Sequence, residues 1–216
     1  GLQRLPKGTA GQVLKMNSGA TAPEYGTLSS DFVKLQTQEV TSNAGSVTFK
    51  GFANAIYSSY ECHITDLQKS GTGDHTWKFR WCINNGNLTG SHYRSTFHGH
   101  HFNSSSANNE NYGGNWNSDH IQMANWNATD TRQSSHNVNH LIIQIGNLSN
   151  ASYTPTMMYT RLNPHPSGTY TNHDVGGGYW NDSETRIAFG ANDGFTIFPN
   201  GDNVGKGIFA LYGRKK

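Results

Sequence analysis

Residues 76–83 read TWKFRWCI, and large apolar residues alternate with polar ones along this stretch. Trp77, Phe79 and Trp81 fall on one side of an extended chain, because strand side chains point alternately to the two faces. Three aromatic rings on one face carry enough apolar area to form the centre of a small core. The alternation therefore predicts a β-strand whose aromatic row faces inward, and a second layer must cover that row.

A second alternating stretch, residues 56–64, reads IYSSYECHI and is the nearest candidate to cover the aromatic row. Turn-forming residues separate the two stretches, so we expect one hairpin that pairs Cys62 with Trp81. In that register Cys82 points to the opposite face, so we expect two free thiols and no disulfide. The apolar face of the first arm consists of Ile56, Tyr60, Cys62 and Ile64.

Strand patterns recur along the chain, whereas no segment longer than ten residues keeps the apolar spacing of a helix. Short strands separated by Gly, Asn and Pro turns predict an all-β fold: an antiparallel, jelly-roll-like β-sandwich over residues 34–216. Residues 91–139 are rich in Asn, Ser, Gly and His, and we expect long surface loops there. The predicted strands are 46–52, 55–67, 75–84, 120–125, 140–145, 153–162, 184–190, 195–198 and 207–212.

Composition narrows the possible functions. Of the 216 residues, 33% are hydrophobic and 14% charged, against about 45–50% and about 25% in an average domain. The net charge of +2 and the lack of a basic stripe argue against a nucleic-acid partner. No apolar run approaches the ~18 residues of a membrane span, so we expect no membrane insertion. A chain with so little apolar content gains much by burying surface against copies of itself.

Both ends of the chain resemble a known class. Residues 5–26, LPKGTAGQVLKMNSGATAPEYG, resemble the LPxGTxGQVLxxNxxGTxPxW module of bacteriophage tail-fibre and related virion proteins. Residues 207–215, GIFALYGRK, are similar to the GxIxLYGxK ending of fibre-tip β-domains of marine phages. This resemblance implies a virion fibre protein with a C-terminal β-tip domain, which is commonly a homotrimer.

In this class the N-terminal module links an upstream shaft or anchor to the tip, so residues 1–33 are expected to be an extended attachment segment. Val13, Leu14, Met16 and Tyr25 would pack against other copies of the chain or another virion protein. The expected location is the virion after assembly in the host cytoplasm. The main expectation is a tail fibre. A capsid head fibre or decoration protein is the alternative, and a free-standing carbohydrate-binding module is a third possibility.

Three tryptophans among Gly, Asn and Asp indicate a receptor site. Such rings cover the apolar face of a sugar while neighbouring amides and carboxylates bond its hydroxyl groups. They could equally close the ends of the sandwich or a subunit interface. The expected ligand is a host-surface glycan or lipopolysaccharide, and the candidate residues are Trp116, Trp126, Trp180, Asn115, Asn117 and Asp182.

His98 and His100 would point the same way in a strand, and two imidazoles at this spacing can reach one ion. Trimeric fibre tips of T-even-type phages carry H-x-H pairs of this kind, so a transition metal on a threefold axis is one possibility. The alternative is a pair of hydrogen-bonded loop histidines in a protein without a cofactor.

An enzyme is the competing class, and the sequence argues against it. A glycosidase needs two carboxylates held about 5–10 Å apart. The available acids, Asp119, Asp130, Asp174, Asp182 and Glu184, form no recognisable pair. Because nucleophile-elbow and zinc-helix motifs are also missing, we predict a non-enzymatic protein without catalytic residues.

Overall fold

The computed structural model describes residues 4–27, 30–53, 55–71, 76–83, 86–103, 106–123, 138–146, 148, 154–164, 170–181, 189–190 and 193–216. The chain divides into two compact units, Gly1–Asp31 and Phe32–Lys216.

The N-terminal unit is built around a hairpin of β1 (Gln12–Met16) and β2 (Pro23–Thr27), which pair antiparallel with Leu14 opposite Tyr25. Asn17 closes the turn, because its Oδ1 accepts a hydrogen bond from the Thr21 amide at 2.9 Å. Ala20, inside that turn, has a φ of 53°. The segment predicted to be extended thus folds back on itself, and its role in attachment stays a prediction.

The C-terminal unit consists of thirteen antiparallel strands among the described residues, with no helix in those ranges and hence none that could span a membrane. The large sheet has the order β3-β15-β5-β11-β12-β13-β8-β9, and the small sheet has the order β10-β6-β14-β4 with β7 beside β6. The strands are β3 (Phe32–Val40), β4 (Val47–Lys50), β5 (Tyr57–Lys69), β6 (Trp77–Ile83), β7 (Gly86–Asn87), β8 (Tyr93–Asn103), β9 (Ser106–Ser118), β10 (Ile121–Met123), β11 (Val138–Gly146), β12 (Thr156–Pro164), β13 (Tyr170–Trp180), β14 (Gly194–Pro199) and β15 (Val204–Lys215).

One core joins the two sheets, as in a β-sandwich. The aromatic row of β6 is buried as predicted, and Phe79 stacks on Phe195 of β14 with ring centroids 5.2 Å apart. From the large sheet, Tyr60 approaches Phe52 edge-on at 5.0 Å. Because the apolar content of the chain is low, few residues are available for the core, and large aromatic rings supply its packing. The all-β, antiparallel prediction is confirmed.

The predicted hairpin of residues 56–64 and 76–83 is wrong. β5 pairs with β11 and β15, whereas β6 pairs with β10 and β14, so the two strands belong to different sheets. Their apolar faces pack across the core instead, because alternation fixes the face of a strand but not its neighbour. Ile56, assigned to the inner face, is 53% exposed. Cys62 and Cys82 are free thiols, as predicted, and both are buried.

The prediction of long loops over residues 91–139 is also wrong for much of that range. β8 and β9 form a hairpin of 11 and 13 residues at the edge of the large sheet, and β10 follows in the small sheet. Backbone pairing with β13 holds β8 in the sheet although its sequence is poor in β-branched residues. Residues 124–137 lie outside the described residues, as do residues 184–188 of the predicted strand 184–190.

Candidate ligand-binding groove

A groove of about 870 Å³ lies on the outer face of the large sheet, over β12, β13, β8 and β9. The alternation of buried and exposed side chains along β12 shows on which face of the large sheet the groove lies. Met157 and Tyr159 are buried in the core, whereas Met158 between them is 62% exposed. The groove therefore opens on the side of the sheet opposite the hydrophobic core.

The floor of the groove is a row of neighbours across four strands: Met158, Gly177, Thr96 and Gly114. The two glycines are required there. A Cβ on Gly177 would lie 2.5 Å from the Met157 carbonyl oxygen, and one on Gly114 would lie 2.5 Å from that of Ser95. Because each obstacle is backbone, the floor stays free of side chains between its threonine and its methionine.

Two further rows form the walls. The taller wall consists of Thr156, Tyr179, Arg94 and Trp116, and the lower one of Thr160, Val175 and His98. Each pair of wall positions on a strand is four residues apart, so the walls stand about 13 Å from each other. Met158 rises at one end of the floor, whereas the other end reaches β9, the edge strand of the sheet. A chain-like ligand can therefore enter across the sheet edge.

Trp116 and Arg94 lie next to each other at the β9 end of the taller wall. The Arg94 guanidinium carbon lies 3.6 Å from the centroid of the Trp116 ring, which is cation–π contact. When the Asn181 amide is oriented with its oxygen towards Arg94, the Arg94 guanidinium donates two hydrogen bonds to that oxygen, at 2.8 and 3.2 Å. These two contacts hold the guanidinium in place, while 70% of Trp116 remains exposed.

The predicted glycan residues separate into different places. Trp116 lies in the groove, and Asn115 also borders it, although its amide donates to Gln122 at 2.6 Å. Asn117 is exposed, has a φ of 57°, and does not line the groove. Trp126 and Asp182 lie outside the described residues. Of the four candidates that the structure describes, only Trp116 and Asn115 line the groove.

Trp180 requires a correction. It is only 7% exposed and approaches Tyr93 edge-on at 4.8 Å, so it belongs to the core. Its position follows from alternation, since the neighbouring residue Tyr179 faces the groove. A buried indole cannot offer its ring face to a sugar, and Trp180 is dropped from the candidate site.

The predicted metal pair is only partly described. His98 lies on the lower wall, and His100 follows in the same strand, opposite His173 in the register of β13. Among the described residues no group of three or more His, Cys, Asp or Glu side chains could hold a metal ion. A site shared between copies on a threefold axis stays a prediction.

The N-terminal residues predicted to mediate attachment form an exposed apolar set on the hairpin. Leu14, Met16 and Tyr25 are exposed and Val13 is half-buried within the unit. Their burial against another chain stays a prediction.

The described acidic candidates for catalysis have structural partners. Asp174 accepts a hydrogen bond from the Arg161 Nε at 2.7 Å, and both side chains are buried. Asp119 binds Arg80 and His120. Burial acts to raise the pKa of Asp119, but the His120 hydrogen bond and the Arg80 charge outweigh it and hold the pKa below its ordinary value. Asp130, Asp182 and Glu184 lie outside the described residues.

Sequence reasoning missed Arg94, Met158, Gly177 and Tyr179. A signal was present in residues 170–180, YTNHDVGGGYW, where an exposed valine and tyrosine flank three glycines. Without knowledge that this stretch pairs with β8, however, the glycines look like a loop. Comparison with known proteins adds no identification, since no family model, no curated protein and no solved structure matches the chain.

Proposed function

We propose that this chain is a bacteriophage virion structural protein, a tail-fibre component whose C-terminal domain binds a glycan on the host surface. Two independent lines support the proposal. The sequence resemblance at both ends supports the virion fibre, and the groove on the large sheet supports the glycan. The observation that carries the binding role is the aromatic wall beside a floor in which two of four positions are glycine.

The chemistry of the groove suits a saccharide. The exposed indole of Trp116 and the ring of Tyr179 can lie against the C–H face of a pyranose. Thr96, Gln144 and His98 supply polar groups for its hydroxyls. An apolar peptide would use the rings but would offer few hydrogen-bonding groups to the polar side chains of the groove.

The finer predictions, a jelly-roll-like strand order and a homotrimer, belong to the same proposal. Three copies would present three grooves, and several fibres on one particle would multiply them again. Such multivalency converts weak single-site binding into firm attachment. This mechanism needs no catalysis, in agreement with the prediction of a non-enzymatic protein.

The proposal is tested by binding of the full chain to purified host-surface polysaccharide. Trp116→Ala should reduce binding about tenfold, whereas Ile208→Ala should leave it unchanged. Ile208 is the control, because it lies in the same sheet on β15, is 42% exposed and does not line the groove. Equal binding by both variants and the parent chain would refute the groove as the receptor site.

A free-standing carbohydrate-binding module remains the second candidate, because the rings and polar groups that line the groove would suit a glycan in such a module equally well. The two candidates differ in mass. A fibre tip is expected to run at three times the chain mass in light scattering, and a module at the mass of one chain. Localisation of the protein in an intact particle would separate a tail fibre from a head fibre or decoration protein.

A further inference from the structure

We infer that the groove is selective for acidic saccharides, with Arg94 as the residue that recognises the anionic group. This inference rests on the proposed glycan-binding function and names the class of sugar. None of the described residues that line the groove is Asp or Glu, whereas Arg94 is permanently charged at physiological pH. The charge of the lined surface is therefore positive.

The described partners of Arg94 leave its charge uncompensated. Asn181 and Trp116 are both neutral. Arg80 and Arg161 differ in this respect, because each of them forms an ion pair with an aspartate. Arg94 is thus held in place without being neutralised, which is the state that a recognition cation needs.

The hydrogen-bonding capacity of Arg94 is also incomplete. Its Nε and one terminal nitrogen donate to Asn181, and the second terminal nitrogen has no hydrogen-bond partner within the described part of the chain. An anion in the groove can take these remaining donors. Arginine suits this purpose because its planar fork bonds carboxylate and phosphate oxygens in a fixed geometry.

The position of Arg94 in the wall connects its charge to sugar stacking. It lies between Tyr179 and Trp116 in the register, so an aromatic ring stands on each side of it along the direction of the groove. A saccharide resting on the floor at Gly177 and Thr96 meets the rings with its C–H faces and the guanidinium with its anionic substituent. Neutral sugars would retain the first contact and lose the second.

The test is a printed glycan array that carries matched acidic and neutral pairs, followed by titration calorimetry with the members that bind. One pair is oligogalacturonate and its methyl ester, and another is lipopolysaccharide core oligosaccharide with and without its phosphates. We expect the acidic member to bind about tenfold more tightly, with a preference that shrinks at high salt. A preference within the oligogalacturonate pair indicates carboxylate recognition, and a preference within the lipopolysaccharide pair indicates phosphate recognition.

Variants of the full chain isolate the charge. Arg94→Gln should bind the two members of a pair equally, Arg94→Lys should keep part of the preference, and Ile208→Ala, outside the groove, should keep all of it. Melting temperatures close to that of the parent chain show that the variants are folded. If Arg94→Gln does not fold, the reduced preference expected of Arg94→Lys tests the role of Arg94 instead. Equal affinity of the parent chain for both members would overturn the acidic selectivity and leave the glycan proposal standing. No binding to any glycan would overturn both.

Discussion

Replacing Gly177 by alanine tests the close packing of backbone under the groove. The new Cβ would lie 2.5 Å from the Met157 carbonyl oxygen and 3.3 Å from the Met158 Cα, both of which are backbone atoms of β12. No side chain can turn away, so β13 must move by several tenths of an ångström. Overpacking of this kind costs about 1–3 kcal/mol, and alanine regains about 0.5–1 kcal/mol relative to glycine in a strand.

The expected net loss is about 0.5–2 kcal/mol, which corresponds to a fall in melting temperature of roughly 1–8 °C for a domain of this size. Gly146→Ala is the matched control: its nearest neighbour is the Thr156 hydroxyl at 3.4 Å, so its stability should stay level or rise slightly. Thermal unfolding by circular dichroism measures both, and glycan titration should show weaker binding only for Gly177→Ala. If Gly177→Ala matches the parent chain in stability and affinity, the floor is not set by backbone contact.

Three further predictions concern buried groups. Asp174→Ala should lower the free energy of unfolding by about 3–5 kcal/mol, because it leaves the buried Arg161 charge without its partner. Replacing Asp174 with Leu and Arg161 with Met together should recover most of that loss, as measured by urea unfolding. Stability should fall as pH drops below 6.5. Burial lowers the pKa of His120 more than its hydrogen bond to Asp119 raises it, so the folded protein favours the neutral ring. The pKa of Asp119 is lowered from 3.8 in the folded protein, so protonation of this carboxylate causes a second loss of stability at lower pH. His120→Gln should flatten the first phase of urea midpoints measured from pH 7.5 to 5. Cys62 is 0% exposed and burial raises the pKa of its thiol, so mass spectrometry should find it alkylated only after denaturation.

The inner faces of the core strands could be predicted from sequence because burial imposes a period of two. Trp77, Phe79 and Trp81 face inward as expected, and so do Tyr60 and Cys62. Strand neighbours could not be predicted in the same way. Two apolar faces can be buried by packing against each other from separate sheets, and the pattern of either strand reads the same in both arrangements. The hairpin error follows from that ambiguity.

The candidate site was only partly predictable for a different reason. Trp116 could be recognised as an exposed ring among small polar residues, but Trp180, in similar company, is a core residue. What separates them is the register of β13 against β8, which is a long-range property of the sheet. Arg94 carries no local signal at all, since its role depends on neighbours from β9 and on Asn181.

The residues that made these strands hard to recognise are the ones that form the groove. On the outer face of a sheet the side chain of every second residue of each strand projects outward, so a groove requires a row in which some side chains are absent. Gly177 and Gly114 leave two of the four floor positions without a side chain, and their backbone contacts leave no space for substitution. Tyr179 and Trp116 stand on the same strands two residues away, and no such constraint fixes their identity. Changing the wall residues should therefore alter which glycan is bound without disturbing the strand ladder, whereas changing the floor should disturb both.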